Sequence, residues 1–418
     1  MKSDVVIGCG VAAAISAGFN APIAGIIFAH EAILRHFSSR AMAPIATSAI
    51  VAAAMVNFVF QLPHPLSLRS QAPTLMLSFL PVVISGVLFG LVAVAFMQSM
   101  RYLARLNGRL GLKTYQSLIV AVIAVTVIGG FFPQTLGLGT VALAEVLNIP
   151  PSLGFAAALL VFKILLTSIC LGFGFFGGVF SPSLLIGAAA GAVFAKAFDK
   201  IGFSDLNTAL ALAGMASVAA CVVGAPLATI FIVLELTLSY EFTLITLLAV
   251  VVSQVVSINI FGHSFFDRQL LDRGIDLQFG RGQLSLTQTP VKTYANDRFV
   301  SVSQDQTAAT VMQMLRAMDM TEAYCTRSDG YFEGKVTINQ LLGARHDALI
   351  KDVLTPQPVS LLTSHSMLEA IEIASGFVGE SIPVLDPETH QMAGVVTEAD
   401  LFEAYLNIQA GIQEVEKS

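Results

Sequence analysis

The sequence contains no tryptophan, and its four cysteines, Cys9, Cys170, Cys221 and Cys325, are scattered singly. No Cys-x-x-Cys pair is present, which excludes zinc and redox motifs of that kind and favours small buried thiols. Charge is also scarce, because residues 1–262 hold only 11 lysines and arginines and 7 acidic residues. Since a charge in hydrocarbon is costly unless it is paired, so few charges over this length indicate a lipid-embedded domain.

The rest of the chain has the opposite character. Residues 263–418 hold 11 lysines and arginines against 21 acidic residues, a net charge of −10, whereas residues 1–262 carry +4. This change predicts a soluble acidic domain after the membrane domain. No basic stretch favours a nucleic-acid partner, and no charged segment followed by a small-residue cleavage site indicates a signal peptide.

The membrane domain contains an internal repeat. The 13 residues Gly10–Pro22 recur 204 residues later as Gly214–Pro226, and the register then holds as far as Glu31 and Glu235. Both copies read Ala-Pro-x-Ala-x-Ile-x-x-x-x-Glu. Repeats of this kind are typical of transporters and channels built from two related halves, with the substrate site between the halves. The sequence therefore predicts a membrane transport protein and not an enzyme.

Apolar runs that favour helices follow one another along the domain. They cover residues 5–34, 41–60, 77–99, 115–132, 154–171, 179–197, 207–223, 225–238 and 242–261. Several are shorter than the roughly 20 residues that a spanning helix needs, so we expect broken or re-entrant helices. Pro22, Pro182 and Pro226 each stand at a position where a helix would begin.

The segment Gly172–Pro182, with the sequence Gly-Phe-Gly-Phe-Phe-Gly-Gly-Val-Phe-Ser-Pro, is the most suggestive chemically. Glycines before a helix start let the backbone approach a ligand, and the first N–H groups of a helix bind anions. Lys163, in the preceding apolar run, adds a positive charge nearby in sequence. The alternative is that the glycines only allow close helix packing.

Three stretches resemble signatures of the CLC voltage-gated chloride channel and proton/chloride antiporter family. They are Phe19–Ile26, Gly177–Pro182 and Gly224–Leu227, in the family's order and spacing. The resemblance implies that the protein is a homodimer and that chloride is the transported ion. It also implies an anion site at Gly178, Val179 and Phe180, where backbone N–H groups hold a dehydrated chloride.

The sequence departs from the family at two polar positions. Phe266 occupies the position of the family's central tyrosine, so the hydroxyl donor to chloride is lost, although the edge of a phenyl ring offers a weak positive charge. Ala32 occupies the position of the glutamate that relays protons in exchangers. We therefore expect weak proton coupling or none.

Glu31 and the neighbouring His30 are the remaining candidates for a proton relay, because intramembrane carboxylates are often functional and histidine titrates near neutral pH. The alternative is structural. Glu31 and Glu235 occupy equal positions in the repeat and would cap or pair near helix ends, and His30 would be a hydrogen-bonded residue at a helix end.

The family's two motifs that precede the Phe-Asn-Ala-Pro stretch are absent from this sequence. The repeat gives the same result, since Phe180 shifted by 204 residues falls 24 residues before Met1. We therefore expect an N-terminally truncated product or a misplaced start, and no chloride flux from residues 1–418 alone.

The soluble part also repeats itself. Val300-Ser301 matches Val359-Ser360, and residues 334–341 match residues 394–401. Each copy predicts a strand, an amphipathic helix, two strands and a final helix, which resembles a tandem pair of CBS domains. Thr397 and Asp400 match a pattern that binds adenine nucleotides in such domains, whereas the first copy has Gln340 at the aspartate position. The alternative is that Thr397 and Asp400 only cap the last helix.

We therefore predict an all-α polytopic membrane domain with inverted repeats (residues 1–262), a linker (263–296), a cytoplasmic α/β tandem CBS domain (297–346 and 347–410) and a tail (411–418). The predicted function is chloride transport as a channel or exchanger, regulated by the CBS domains. No cofactor is required, and adenine nucleotide is a candidate ligand of the CBS pair. The protein would be an integral multi-pass protein of a cell or inner membrane, with the basic residues Arg101, Arg105 and Arg109 on the cytoplasmic side.

Two other functions compete with this prediction. A nonconducting, truncated or regulatory CLC-like membrane subunit would explain the missing half of the anion site. A CBS-bearing divalent-cation transporter is disfavoured, because cation sites need clustered carboxylates and the membrane part has only seven acids, widely separated.

Overall fold

The structure is a computed structural model that describes residues 3–61, 73, 75–272, 285–356 and 358–417. It divides into two compact units, Met1–Gln269 and Leu270–Ser418. The division falls close to the change in composition after residue 262. Each unit has its own buried hydrophobic core.

The described part of the first unit consists of helices. They are α1 (Ser3–Phe19), α2 (Pro22–Phe28, continued as a π-helix over Ala29–Leu34), α3 (Ser39–Ala54, continued over Met55–Val59), α4 (Leu75–Leu110), α5 (Thr114–Phe131), α6 (Thr140–Asn148), α7 (Leu153–Gly172), α8 (Phe180–Asp199), α9 (Asn207–Val223), α10 (Pro226–Thr237), α11 (Tyr240–Phe261) and α12 (Phe265–Leu271). Within the described residues, six helices are long and apolar enough to cross a membrane, while α1, α2, α9 and α10 are shorter apolar helices.

The helices α8 and α9 form the centre of this unit, and their backbones touch. A Cβ atom on Gly187 would lie 2.1 Å from the carbonyl oxygen of Gly214, and one on Gly191 would lie 2.1 Å from that of Leu210. Only glycine permits such an approach. Gly187 and Gly191, which follow the glycine-rich segment Gly172–Pro182, therefore serve close helix packing.

The two copies of the repeat break at equivalent residues. Asn20, with φ 54°, separates α1 from α2, and Gly224, with φ 81°, separates α9 from α10. Asparagine and glycine are the residues that adopt this left-handed conformation most readily. Pro22 and Pro226 then take the first position of α2 and α10, as predicted. The apolar run over residues 5–34 is thus two helices.

The two repeat glutamates cap each other's helices. The carboxylate of Glu31 accepts hydrogen bonds from the backbone N–H groups of Leu227 (3.0 Å) and Ala228 (2.9 Å) at the start of α10. The carboxylate of Glu235 accepts from Ile23 (2.9 Å) and Ala24 (2.8 Å) at the start of α2. Because each glutamate lies near the end of one helix and caps the start of the other, α2 and α10 run antiparallel.

The first copy contains one residue more than the second after its proline. Over Ala29–Leu34 the chain follows a π-helix and ends at Arg35, which is left-handed with φ 59°. In the second copy α10 stays α-helical and ends at the left-handed Leu238 with φ 49°. The end of the helix is therefore offset by 203 residues although its start is offset by 204. π-helical turns of this kind are frequent at functional sites.

The second unit contains two small sheets. The first has the order β1 (Val300–Val302), β2 (Glu322–Thr326), β3 (Phe332–Thr337) and β4 (Thr355–Pro356); the second has β5 (Leu361–Leu362), β6 (Ser381–Leu385) and β7 (Met392–Thr397). The helices are α13 (Ala308–Met318), α14 (Ile338–Gly343), α15 (Ile350–Val353), α16 (Met367–Ser375) and α17 (Glu398–Lys417). In both sheets the first two strands are parallel and the next pair is antiparallel. The predicted order of elements in each repeat is confirmed.

The predicted linker, residues 263–296, has more structure than its composition indicates. It contains α12, and its later part packs against the second sheet, where Leu286 and Val291 belong to the buried core and Asn296 pairs with Val395. Residues 273–284 of this segment lie outside the described residues. The polar and glycine-rich composition of the segment gave no indication that Leu286 and Val291 are buried.

The reciprocal caps lead to a stability prediction. Glu235→Ala removes two hydrogen bonds to a charged group, each worth about 1.5–3 kcal/mol, so we expect the melting temperature in detergent to fall by at least about 5 °C. Glu145→Ala, which removes an exposed carboxylate from α6, is the control and should leave the melting temperature unchanged. An unchanged melting temperature for Glu235→Ala would show that the caps contribute nothing to stability.

Candidate anion site

The start of α8 differs from the starts of α2 and α10. Its N-cap residue is Val179, which provides no side-chain cap. Within the described residues, the N–H groups of Gly178, Val179 and Phe180 donate to no backbone or side-chain acceptor. The corresponding groups of α2 and α10 are held by glutamate carboxylates. The predicted helix start is therefore present, and its N–H donors remain available to an anion.

The glycines before α8 are open, in contrast to those inside it. After α7 ends at Gly172, Gly174 adopts φ 97°, and a Cβ atom on Gly174 or Gly178 would meet no atom within 4 Å. Helix packing therefore does not require these two glycines. Within the segment, Gly172 does pack closely, since a Cβ atom there would lie 2.8 Å from the Leu103 side chain, whereas Gly174 and Gly178 lie in open space before the helix start.

The side chain of Phe180 connects this helix start to the first repeat. Its ring packs edge-on against Phe19, with centroids 5.6 Å apart, and against Phe28, with centroids 5.5 Å apart. Phe19 ends α1 and Phe28 ends the α-helical part of α2. Residues of the first repeat copy therefore contact the candidate site. The sequence does not indicate a role for these two rings, because an apolar aromatic residue in an apolar helix carries no distinguishing signal.

Phe266 lies in α12, where its ring is 42% exposed and packs against the neighbouring Phe265. Two contacts attach α12 to the repeats. A Cβ atom on Gly224 would lie 2.9 Å from the Cβ atom of Ser264, so the two residues are in close contact. Asp267 forms an ion pair with Arg35. The start of α12 is therefore tied to the turn before α10 and to the end of the π-helix.

The two relay candidates are both engaged in local hydrogen bonds. Both carboxylate oxygens of Glu31 cap α10, and His30 is fully buried, with Nδ1 2.9 Å from the carbonyl oxygen of Ile26 and Nε2 3.4 Å from that of Ser38. A neutral imidazole has one N–H and serves only one of these acceptors, whereas an imidazolium serves both. The structural alternative describes the contacts of both residues, and the relay role stays a prediction.

In the second unit, Thr397 and Asp400 form a helix cap. Asp400 Oδ2 accepts hydrogen bonds from the Thr397 backbone N–H (2.8 Å), from Thr397 Oγ1 (2.7 Å) and from Asn296 Nδ2 (2.9 Å). In return the Asp400 N–H donates to Thr397 Oγ1 (3.2 Å) at the start of α17. The carboxylate that would hold a ribose is thus already bonded to three donors.

A cavity of about 640 Å³ lies instead on the side of the first copy of the soluble repeat. Its lining includes Lys335, Thr337, Gln340, Phe377 and Glu380, so both copies contribute to it. Such a volume suits a drug-sized or nucleotide-sized ligand. The sequence did not favour a nucleotide site on this side, because Gln340 replaces the expected aspartate.

A buried ion pair forms one wall of this cavity. Lys335 Nζ lies 2.6 Å from Glu322, both side chains are only 8% exposed, and Lys335 also donates to the carbonyl oxygen of Ser381 (3.1 Å). The hydroxyl groups of Tyr324 and Ser381 are hydrogen-bonded to each other at 2.5 Å. Burial raises the pKa of Tyr324 well above its ordinary value, so the phenol keeps its proton and can donate. The two copies are therefore joined by a satisfied polar network.

Within the described residues, six helices of membrane length, a repeat whose two copies run antiparallel and helices that break inside apolar sequence are typical of membrane channels and secondary transporters. The chain belongs to the voltage gated chloride channel family, whose sequence model matches residues 1–258. The model of the CBS domain matches residues 350–407. The predicted family and fold class are confirmed.

Similar curated proteins are chloride channels. The chain is 29% identical over 268 residues to chloride channel protein CLC-f of Arabidopsis thaliana, a match that covers 56% of this chain and 33% of that protein. It is 28% identical over 255 residues to the voltage-gated ClC-type chloride channel ClcB of Escherichia coli, covering 60% of this chain and 61% of the relative. The chain thus spans between one third and two thirds of the length of these relatives.

Solved structures show the same fold. A slow cyanobacterial Cl⁻/H⁺ antiporter superposes with a TM-score of 0.58 at 24% identity, covering 67% of each chain. A eukaryotic CLC transporter superposes with a TM-score of 0.55 at 18% identity, covering 95% of this chain and 70% of the other.

Proposed function

We propose that this chain takes part in selective anion movement across a membrane, with chloride as the ion, in a channel or exchanger of the CLC kind. One observation carries the proposal: α8 begins with N–H donors that no side chain caps, while the two comparable helix starts are each closed by a carboxylate. The carboxylates at the starts of α2 and α10 support the proposal that the start of α8 binds an anion.

The physical basis is the same at all three helix starts. The first N–H groups of a helix lack internal partners, and the helix dipole places about half a positive charge there. An anion at Gly178, Val179 and Phe180 would replace part of its water shell by these N–H groups. Hydrogen bonds to a charged partner are worth about 1.5–3 kcal/mol each, which offsets part of the cost of dehydration.

The proposal extends to the organisation of the protein. The chain would be an integral multi-pass membrane protein and a homodimer, with Arg101, Arg105 and Arg109 at the cytoplasmic end of α4, as the positive-inside rule indicates. The CBS domains, residues 297–346 and 347–410, would lie in the cytoplasm and regulate anion movement. The resemblance to the family supports this arrangement.

A carboxylate placed at the helix start tests the anion site. In Val179→Asp the new side chain can cap α8 as Glu31 caps α10, and its charge repels an anion, so we expect halide binding to be lost in isothermal titration. Val179→Ala adds no acceptor and should bind halide within about threefold of the unchanged protein. Halide affinity that survives in Val179→Asp would place the anion elsewhere.

The second prediction concerns protons. Because Ala32 has no titratable group and a methyl group cannot pass a proton, we expect weak or no proton coupling. In liposomes that support chloride flux, a chloride gradient should drive no stoichiometric proton uptake, and Ala32→Glu should increase any uptake that is present. Stoichiometric uptake by the unchanged protein would make Glu31 or His30 the relay.

A second binding function belongs to the soluble unit. We propose that the CBS pair binds adenine nucleotide in the 640 Å³ cavity, because there is room beside Thr337, whereas the Asp400 carboxylate is occupied by its helix cap. Phe377 offers a ring for the base, and Glu380, whose Oε2 accepts a hydrogen bond from Thr321, offers its other carboxylate oxygen for ribose hydroxyls. Nucleotide at Thr397 and Asp400 is the competing placement.

Two substitutions distinguish these placements. Stacking of a base on an aromatic ring is worth about 1–3 kcal/mol, so Phe377→Ala should weaken AMP binding about tenfold or more in isothermal titration. Asp400→Asn should leave the affinity within about threefold. The reverse pattern would assign the nucleotide to Thr397 and Asp400, and no AMP binding by the unchanged protein would end the proposal.

A further inference from the structure

Lys163 is a buried lysine that lies outside the anion site described above. It lies in α7, is only 2% exposed, and its Nζ donates to the carbonyl oxygens of Thr135 (2.7 Å) and Gly137 (3.0 Å). Both acceptors are backbone groups of the short segment between α5 and α6. Within the described residues, no carboxylate lies within ion-pair distance of this ammonium group.

The same segment is attached to the first turns of α8. Ser181 Oγ donates to the carbonyl oxygen of Leu138 at 2.7 Å, and Ser181 is the second residue of α8. One residue on, a Cβ atom at Gly139 would lie 2.6 Å from the Leu185 side chain, so the backbone is in close contact with the next turn. Three consecutive residues, 137–139, therefore connect the Lys163 ammonium group to the open helix start.

The Lys163 ammonium group is buried with only carbonyl partners and no counter-ion within the described residues. Carbonyl dipoles compensate part of the lost hydration, but a charge buried without a counter-ion remains costly. An anion near the group lowers that cost, and the donors at the start of α8 have no partner of their own. A bound anion would therefore both compensate the Lys163 charge and accept hydrogen bonds from the start of α8.

We propose that Lys163 is a positioning and specificity-determining residue of the anion site. It fixes the segment that holds Ser181, and its charge adds to the positive potential of the helix start and so increases the affinity for anions. The inference rests on the anion site proposed above. Lysine placed there favours an anion over a neutral solute, which the N–H groups alone would also accept.

Lys163→Gln separates the charge from the hydrogen bonds. The glutamine amide keeps two N–H donors for carbonyl oxygens but carries no charge. At an effective dielectric constant of about 20, two unit charges roughly 10 Å apart interact strongly enough to change binding about tenfold or more. We expect Lys163→Gln to weaken chloride and bromide binding at least about tenfold in isothermal titration of the full chain. Lys163→Arg, which keeps the charge, should restore the affinity to within about threefold.

Lys196→Gln is the matched control. It removes a lysine charge from the last turn of α8, next to Asp199 and far along the helix from its start, and should leave the halide affinity unchanged. Lys163→Met supplies a second neutral variant should the glutamine variant fail to fold, with melting temperatures recorded for all of them.

The outcomes separate this inference from the proposal beneath it. Wild-type halide affinity in Lys163→Gln or Lys163→Met, in a protein that binds halide, would overturn the role of Lys163 and leave the anion site intact. Equal loss in Lys163→Arg and Lys163→Gln would also overturn it, because the charge would then be irrelevant. No halide binding by the unchanged protein, together with none in Val179→Ala, would instead refute the proposed site.

Discussion

The membrane unit depends on the need to satisfy the first N–H groups of helices that begin inside apolar surroundings. For α2 and α10 the solution is mutual, because Glu31 caps α10 and Glu235 caps α2. Neither helix can slide along the other without exposing the start of both. The caps therefore fix the antiparallel relation of the two repeats and, with it, the position of Phe19 and Phe28 against Phe180. The start of α8 differs from these two helix starts, since no carboxylate caps it.

The repeat in the sequence was sufficient to predict where the helices break. Pro22 and Pro226 restrict φ and lack an N–H, and Asn20 and Gly224 tolerate left-handed backbone, so local chemistry determines both starts. The partner of each cap could not be predicted, because Glu31 and Leu227 are separated by 196 residues and no local pattern specifies that they meet. The π-helix was missed for another reason. One additional residue leaves the apolar pattern of a short helix nearly unchanged.

The candidate anion site shows the same division between local and distant information. Glycines and a serine before Pro182 predicted a helix start, and the structure has it at Phe180. The sequence could not distinguish glycines that shape this start from Gly187 and Gly191, because both uses require the absence of a side chain and differ only in what lies opposite. The sequence also showed that the positive charge of Lys163 is close in sequence to this helix start. Its actual partners, Thr135 and Gly137, belong to a loop whose position depends on packing.

A carboxylate near a helix start can either cap the helix or bind a ligand, and the sequence alone does not distinguish these two roles. The donors that a ribose or a helix start presents are chemically similar, so Asp400 matches a nucleotide motif while its oxygen is bonded to Thr397 and Asn296. Occupancy favours the helix cap, since a carboxylate that already accepts hydrogen bonds has less to gain from a ligand. The described contacts of Asp400, Glu31 and Glu235 are those of helix caps. The N–H groups of Gly178, Val179 and Phe180 are the ones left to bind an anion, and Lys163 lies one short segment away.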